Sequence, residues 1–309
     1  MNAAVPPEPA LDDAAFDRLF AEVITPAMAA HEAERRRRVA LFARICWVGG
    51  LILAAITLAL MIHTGEGATF MVFVFGALAG GGLVYERLLL NFENSCKAEA
   101  LADLARALGM DYRLDVAEPP AFDRLRELGL LPTCAENRFK DLFSGVHAGC
   151  AFQLYQAHLD DPGDKDASLT FHGQIIRLAF PKSFLGTTVV NRQAMSGWKH
   201  PGFQRVILES NDFEREFAAF GTDQVEARYL IHPVFMERLM ALETAGRGRN
   251  LRCSFDGGDL IVVIEGVELF DVIDVFKPLP DRDGVLKGWR QLQQLTALVD
   301  QILARPGAA

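Results

Sequence analysis

Ile45 to Ile62 reads ICWVGGLILAAITLALMI, eighteen residues without a charged side chain. After His63-Thr64-Gly65-Glu66-Gly67, a second uncharged run, ATFMVFVFGALAGGGLVY, extends from Ala68 to Tyr85. Crossing about 30 Å of hydrocarbon takes roughly 20 helical residues. Val39–Phe42 and Leu88–Leu90 lengthen the two runs to that span. Neither run leaves a polar face for water, so the pair reads as a transmembrane helical hairpin and not as two core helices. A secretory leader is excluded, because about forty polar or amphipathic residues precede the first run with no cleavage signature behind it.

The flanks give the expected orientation. Arg35, Arg36, Arg37, Arg38 and Arg44 precede the first run, Arg87 and Lys97 follow the second, and the connecting loop has no Lys or Arg. By the positive-inside rule both termini face the cytoplasm, which predicts a multi-pass protein of the bacterial inner membrane. Trp47 and Tyr85 stand at headgroup level. Arg35, Arg36, Arg37 and Arg38 are also candidate contacts to anionic lipid, each worth about 1 kcal/mol near the surface; topology control alone explains them as well. Gly76 and Gly80 form a GxxxG spacing, matched by Gly50 and Ala54 on the first helix. These predict close helix pairing within the hairpin, with homodimerisation as the rival use. Neither run contains an ionisable residue to serve an ion or proton path.

The whole chain has 309 residues, 50% hydrophobic and 23% charged, with a formal charge of −9. That balance excludes a generic nucleic-acid binder, which would carry a basic surface. Five segments are expected: a disordered tail over 1–10, an amphipathic juxtamembrane helix over 11–38 with a kink at Pro26, the hairpin over 39–90, juxtamembrane helices over 91–130, and a cytoplasmic domain over 131–309. Gly109 and Gly129 suit the C-cap positions of the helices in the fourth segment.

From about Gly145 strand-like segments take over: Val146–Leu159, Leu169–Phe180, Thr187–Asn191, Gln204–Leu208 and Phe213–Phe220. A helical pair from Asp223 to Leu242 is split at Pro233. A hairpin then turns through Asp256-Gly257-Gly258-Asp259, and an amphipathic helix runs from Val285 to Leu303, its apolar stripe expected on the sheet. The fold class is therefore α+β: a transmembrane hairpin with flanking helices, then an antiparallel sheet with helices packed on it.

No chemical constellation converges. Cys46, Cys96, Cys134, Cys150 and Cys253 lack CxxC spacing and read as reduced thiols. His147 and Cys150, three apart on one expected strand, point to opposite faces. His158, facing His172 across a turn with Asp160 and Asp161 nearby, is the better metal or acid/base candidate, although a solvated turn explains it too. Ser196-Gly197-Trp198-Lys199 matches S-x-x-K without the elements that accompany that motif in enzymes. Asp223, Glu226 and Arg228 form the densest polar cluster. As a capping box, Asp223 accepts the first amides of a helix while Glu226 reaches back, and Arg228 pairs with Glu214 or Glu216. As a site, the cluster would serve acid/base chemistry or a partner. No catalytic residue, cofactor or metal ligand is assigned.

The stretch FEREFAAFGTDQVEARYLIHPVFMERLMALE, Phe213 to Glu243, resembles the bacterial domain-of-unknown-function 3137 family. The likeness continues through LRCSFDGGDLIVVIEG and Glu268-Leu269-Phe270, with TFHGQIIRLAFPKSFLGTTVV (Thr170 to Val190) upstream and the spacing of Phe16, Phe20, Ile24 and Pro26. The resemblance implies an N-terminal helix, a hydrophobic hairpin and a C-terminal domain, with no assigned activity. It also implies a Glu where this chain has Gln156, which argues against a catalytic carboxylate there. The expected function is presentation of the cytoplasmic domain to a protein or small ligand, in scaffolding or regulation. The alternative is a membrane-tethered hydrolase using Asp223, Glu226 or His158.

Overall fold

A computed structural model describes residues 13–64, 69–117, 119–147, 149–161, 170–180, 183–193, 197–245, 249–266 and 270–303. The chain forms two compact units. One comprises Asp12–Leu104 with Asp271–Trp289, the other Ala105–Phe270 with the residues from Arg290 on.

The first unit is helical. Helix α1 (Asp13–Leu19) passes through a π-helical turn (Phe20–Ile24) into α2 (Thr25–Thr64), and α3 (Thr69–Tyr85) passes through a second (Glu86–Leu90) into α4 (Asn91–Ala107). Pro26, which has no N–H and whose ring crowds the preceding turn, sits just beyond the first π turn. There the Thr25 N–H bonds back to the Phe20 carbonyl, and the widened turn lets the helix continue. Two helices, Asp13–His63 and Phe73–Ala107, are long and apolar enough to cross a membrane by length and composition. Trp47 (74% exposed), Leu51 (64%), Leu58 (60%) and Ile62 (79%) project from the first, and Phe75, Leu78 and Leu83 from the second.

Within the hairpin, Gly76 lies against Leu53, whose Cδ2 is 3.1 Å from where a Cβ would stand. No such neighbour lies within 4 Å at Gly50 or Gly80. The expected glycine contact is thus made at one member of the spacing. Nearer the termini, His31 meets Glu99 at 2.8 Å, and Arg38 donates to the Leu88 carbonyl at 3.1 Å with its guanidinium over Phe92.

Residues 271–289, which the sequence groups with the C-terminal domain, belong to this helical unit. Arg35 donates to the Val275 carbonyl (3.1 Å), and Glu32 accepts the Leu279 N–H (3.0 Å). Phe276 packs on Phe42 and Tyr85, and Arg282 bonds Asp17 at 2.6 Å.

Among the described residues, the second unit is built on a nine-stranded sheet in which every pairing is antiparallel. Its elements are β1 (Asp111–Asp115), α5 (Phe122–Glu127), β2 (Glu136–His147), β3 (Cys150–Asp160), β4 (Phe171–Ala179), β5 (Thr188–Arg192), β6 (Gln204–Val206), α6 (Asn211–Glu216), β7 (Phe217–Gly221), α7 (Gln224–Leu230), α8 (Pro233–Ala245), β8 (Arg249–Asp256), β9 (Asp259–Glu265) and α9 (Arg282–Leu303). The spatial order is β1-β2-β3-β4-β9-β8-β5-β7-β6.

Three expectations are corrected. The sheet begins at Asp111, well before Gly145. Val146–Leu159 is not one strand: His147 pairs directly with Cys150, and Gly149 just before Cys150 has φ +79°. His147 and Cys150 therefore share a face. Phe213–Glu216 is helical, because the Ser210 side chain accepts the Phe213 N–H and starts a helix before β7.

The α5 segment covers one face of the sheet. Phe122, Leu125, Leu128 and Leu131 pack with Tyr155, Phe171, Ile175, Val189 and Val263. On the other face, Phe235 of α8 meets Phe255 with centroids 5.2 Å apart, and Phe143 meets Phe270 at 4.5 Å. The α9 stripe is buried at Val285, Trp289, Leu292 and Val299. Its turns up to Trp289 belong to the helical unit, where Trp289 packs on Phe16.

Candidate functional site

Asp223 caps α7. Its Oδ1 accepts the N–H groups of Val225 and Glu226, each at 2.9 Å. Glu226 departs from the capping box: its two oxygens accept the N–H groups of Leu185 (2.8 Å) and Gly186 (2.7 Å), some forty residues upstream. Gly186 is required there, because a Cβ would stand 2.6 Å from the Thr222 hydroxyl. The Thr187 N–H donates to that hydroxyl at 2.9 Å, so the loop before β5 is fastened to the start of α7. Arg228 bonds the Gln224 carbonyl within its own helix. Its expected partners are engaged elsewhere, Glu214 by Arg205 (2.5 Å) and Glu216 by Arg192 (2.9 Å). The cluster's carboxylates hold main-chain amides in place.

Beside this loop, Arg124 of α5 grips Asp256 with two bonds (2.6 and 3.1 Å), and the Thr187 hydroxyl donates to the same carboxylate at 2.5 Å. Burial works to raise the Asp256 pKa, but the bonds from Arg124 and Thr187 outweigh it and leave the carboxyl below its ordinary value.

His158 and His172 are direct cross-strand partners with ring centroids 4.9 Å apart, and His172 bonds Asp160 at 2.7 Å. Among the described residues, no group of three or more His, Cys, Asp or Glu is placed to hold a metal ion. Burial pushes the Cys253 thiol up in pKa, which makes it a poor nucleophile. Ser196 of the S-x-x-K spacing lies outside the described residues.

The arginine run divides. Arg35 is 7% exposed, holds both oxygens of Glu32 (2.7 and 2.9 Å) and donates to Val275. Its burial withdraws it from any headgroup. Arg36 also bonds Glu32, at 2.6 Å, and Arg38 bonds Glu34, also at 2.6 Å. Arg36 and Arg37 are exposed.

Sequence reasoning missed an open cleft of about 570 Å³ beside the edge strand β6. Trp198, Phe203 and Phe220 form its aromatic walls, with Lys199, His200 and Arg205 around them. Trp198 lies nearly parallel to His200 (15°), and its Nε1 donates to the Leu128 carbonyl at 3.1 Å. Phe203 meets it edge-on at 5.2 Å. Arg205 lies over Phe220 while bonding Glu214 and the carbonyls of Val206 and Ala219. Only the density of rings and cations in WKHPGF, Trp198 to Phe203, hinted at it.

Residues 169–303 match the model of a family described as "Protein of unknown function (DUF3137)". That stretch is similar to the DUF3137 family. The likeness noted at Phe213–Glu243 is borne out there. The matched stretch contains the Glu226 clamp, Asp256 and the residues lining the cleft, whereas Arg124 and the apolar hairpin lie outside the match. No curated protein shows a significant match to the chain. A crystal structure of the mycobacterial trehalose monomycolate transport factor A, TtfA, is similar at 13% identity and a TM-score of 0.34 over 65% of this chain and 95% of that one. A likeness of that degree carries no argument about function.

Proposed function

We propose that the chain is an integral inner-membrane protein whose two apolar helices anchor a DUF3137-bearing sheet domain, which binds a ligand or protein partner in scaffolding or regulation. The observation behind this is the ring of bare apolar side chains on α2 and α3. In each candidate span only 6% of the most apolar eighteen-residue window is buried. A large apolar side chain left in water forgoes roughly 1.5–3 kcal/mol relative to a buried one. The ring therefore suits hydrocarbon and not water. Both termini lie on the cytoplasmic side, where Arg36, Arg37 and Arg44 flank the first span.

The tethered-hydrolase alternative has weaker support. Asp223 and Glu226 spend their carboxylates on main-chain amides, and His172, the cross-strand partner of His158, is bonded to Asp160. A fluorescent reporter that matures only in the cytoplasm, fused after Ala309, tests the sidedness. Fluorescence is expected; a dark fusion, with a periplasmic reporter active at the same position, would reverse the orientation.

A further inference from the structure

The cleft beside β6 has the make-up of a small-molecule site. Its volume of about 570 Å³ falls within the roughly 300–1,000 Å³ typical of ligand pockets. Among the described residues its lining contains no Leu, Ile, Val or Met, so they offer ring faces in place of the aliphatic walls that would sheathe an acyl chain. Among the described residues the ionisable lining groups are Lys199, His200 and Arg205, with no carboxylate among them, in a chain whose formal charge is −9. The local charge runs against that of the whole.

The three basic groups are not equivalent. Arg205 is committed to Glu214 and two carbonyls. The His200 ring nitrogens lie within hydrogen-bond distance of the Pro201 and Glu127 carbonyls. Lys199 is exposed, and its ammonium makes no hydrogen bond or ion pair among the described residues. The indole of Trp198 is fixed at its edge by Leu128, and Gly129, with φ +67°, leaves room where a Cβ would approach Nε1 to 3.2 Å.

We propose that this cleft binds a small planar aromatic anion, its ring laid against the aromatic wall that Trp198, Phe203 and Phe220 form together and its acidic group on the Lys199 ammonium. The proposal deepens the ligand-binding reading of the sheet domain and rests on it. Stacking supplies orientation, and the charge-assisted bond to Lys199 selects an acid over its neutral amide.

The test uses the full chain in lipid nanodiscs, titrated calorimetrically with indole-3-carboxylate, indole-3-carboxamide and octanoate. The carboxylate is expected to bind about tenfold more tightly than the carboxamide, as one charge-assisted bond would give, and octanoate not measurably. Lys199→Gln, an exposed position that leaves the fold intact, should bring the carboxylate down to the level of the carboxamide. Phe203→Leu should weaken both aromatic probes together. The proposal is overturned if the acid binds no better than the amide, if octanoate binds as well, if Lys199→Gln changes nothing, or if no probe binds. Incorporation of the chain into the discs reports on the anchor separately. A chain that stays aqueous would end the anchoring reading, and the same titration would then be run without lipid.

Discussion

The guanidinium of Arg35 donates to the main-chain carbonyl of Val275, 3.1 Å away and 240 residues later in the chain. Its partner Glu32 accepts the Leu279 N–H at 3.0 Å, so one ion pair on α2 holds two points of the returning segment 271–289. The side chains of Arg35 and Glu32 are 9% and 16% exposed, which puts the pair well beyond the weak surface class.

Removing Arg35 takes two charge-assisted bonds from a carboxylate largely shielded from water and leaves it only Arg36 and the Leu279 N–H. Arg35→Met is expected to destabilise the helical unit by about 3 kcal/mol and to speed amide exchange around Val275 to Leu279. Unchanged exchange in that segment would show that the clasp does not hold it.

The same pair sets a response to acid. The bonds from Arg35 hold the Glu32 carboxyl far below its ordinary value of 4.5, against the opposing effect of burial. The folded state thus keeps Glu32 ionised at pH values where the unfolded chain has taken up a proton. Its stabilisation is complete above the ordinary value and declines as pH falls below it. The melting temperature should drop between pH 5 and about 3, and the slope should be shallower in Glu32→Gln, whose position 32 no longer titrates. Equal slopes would remove Glu32 from the account.

For α7, Asp223→Ala is expected to cost about 1 kcal/mol through loss of the cap. Glu226→Gln keeps one acceptor and loses the other, so its signature is local: faster amide exchange at Leu185 and Gly186 with little change elsewhere. A variant with unaltered exchange at those amides but lost cellular function would restore Glu226 as a chemical group.

Gly173 on β4 tests the close approach of β9. A Cβ there would stand 2.2 Å from the Ile264 carbonyl oxygen and 2.7 Å from the Phe171 ring. Gly173→Ala should therefore destabilise the sheet unit by about 3 kcal/mol through overpacking, read as a lower denaturant midpoint. A midpoint equal to that of the parent would mean that the strands separate there without penalty.

Much of this architecture was legible where the signal is local. Uncharged runs mark the apolar helices, Gly109 and Gly129 stand past the ends of α4 and α5 at φ +72° and +67°, and Asp223 caps α7. Elements whose cause is distant were missed or misread. β1, DYRLD, carries alternating polar residues and draws its place from β2. The turn between His147 and Cys150 is too short, and too poor in Asn or Asp, to announce itself. The aromatic content of Phe213, Phe217 and Phe220 suits a strand until Ser210 is seen to cap a helix. Glu226 has the spacing of a capping box, yet finds amides across the fold. The cleft joins Trp198 to Phe220 through tertiary packing, and no pattern within either segment encodes that meeting.

The claim on which the rest depends is that lipid surrounds the exposed Leu, Ile, Val and Phe side chains of α2 and α3. High-speed sedimentation of a detergent-free lysate, with a carbonate wash of the pellet, tests it directly. The account predicts that the full chain remains in the washed pellet and is released only by detergent. Recovery of a monodisperse chain in the supernatant would contradict it.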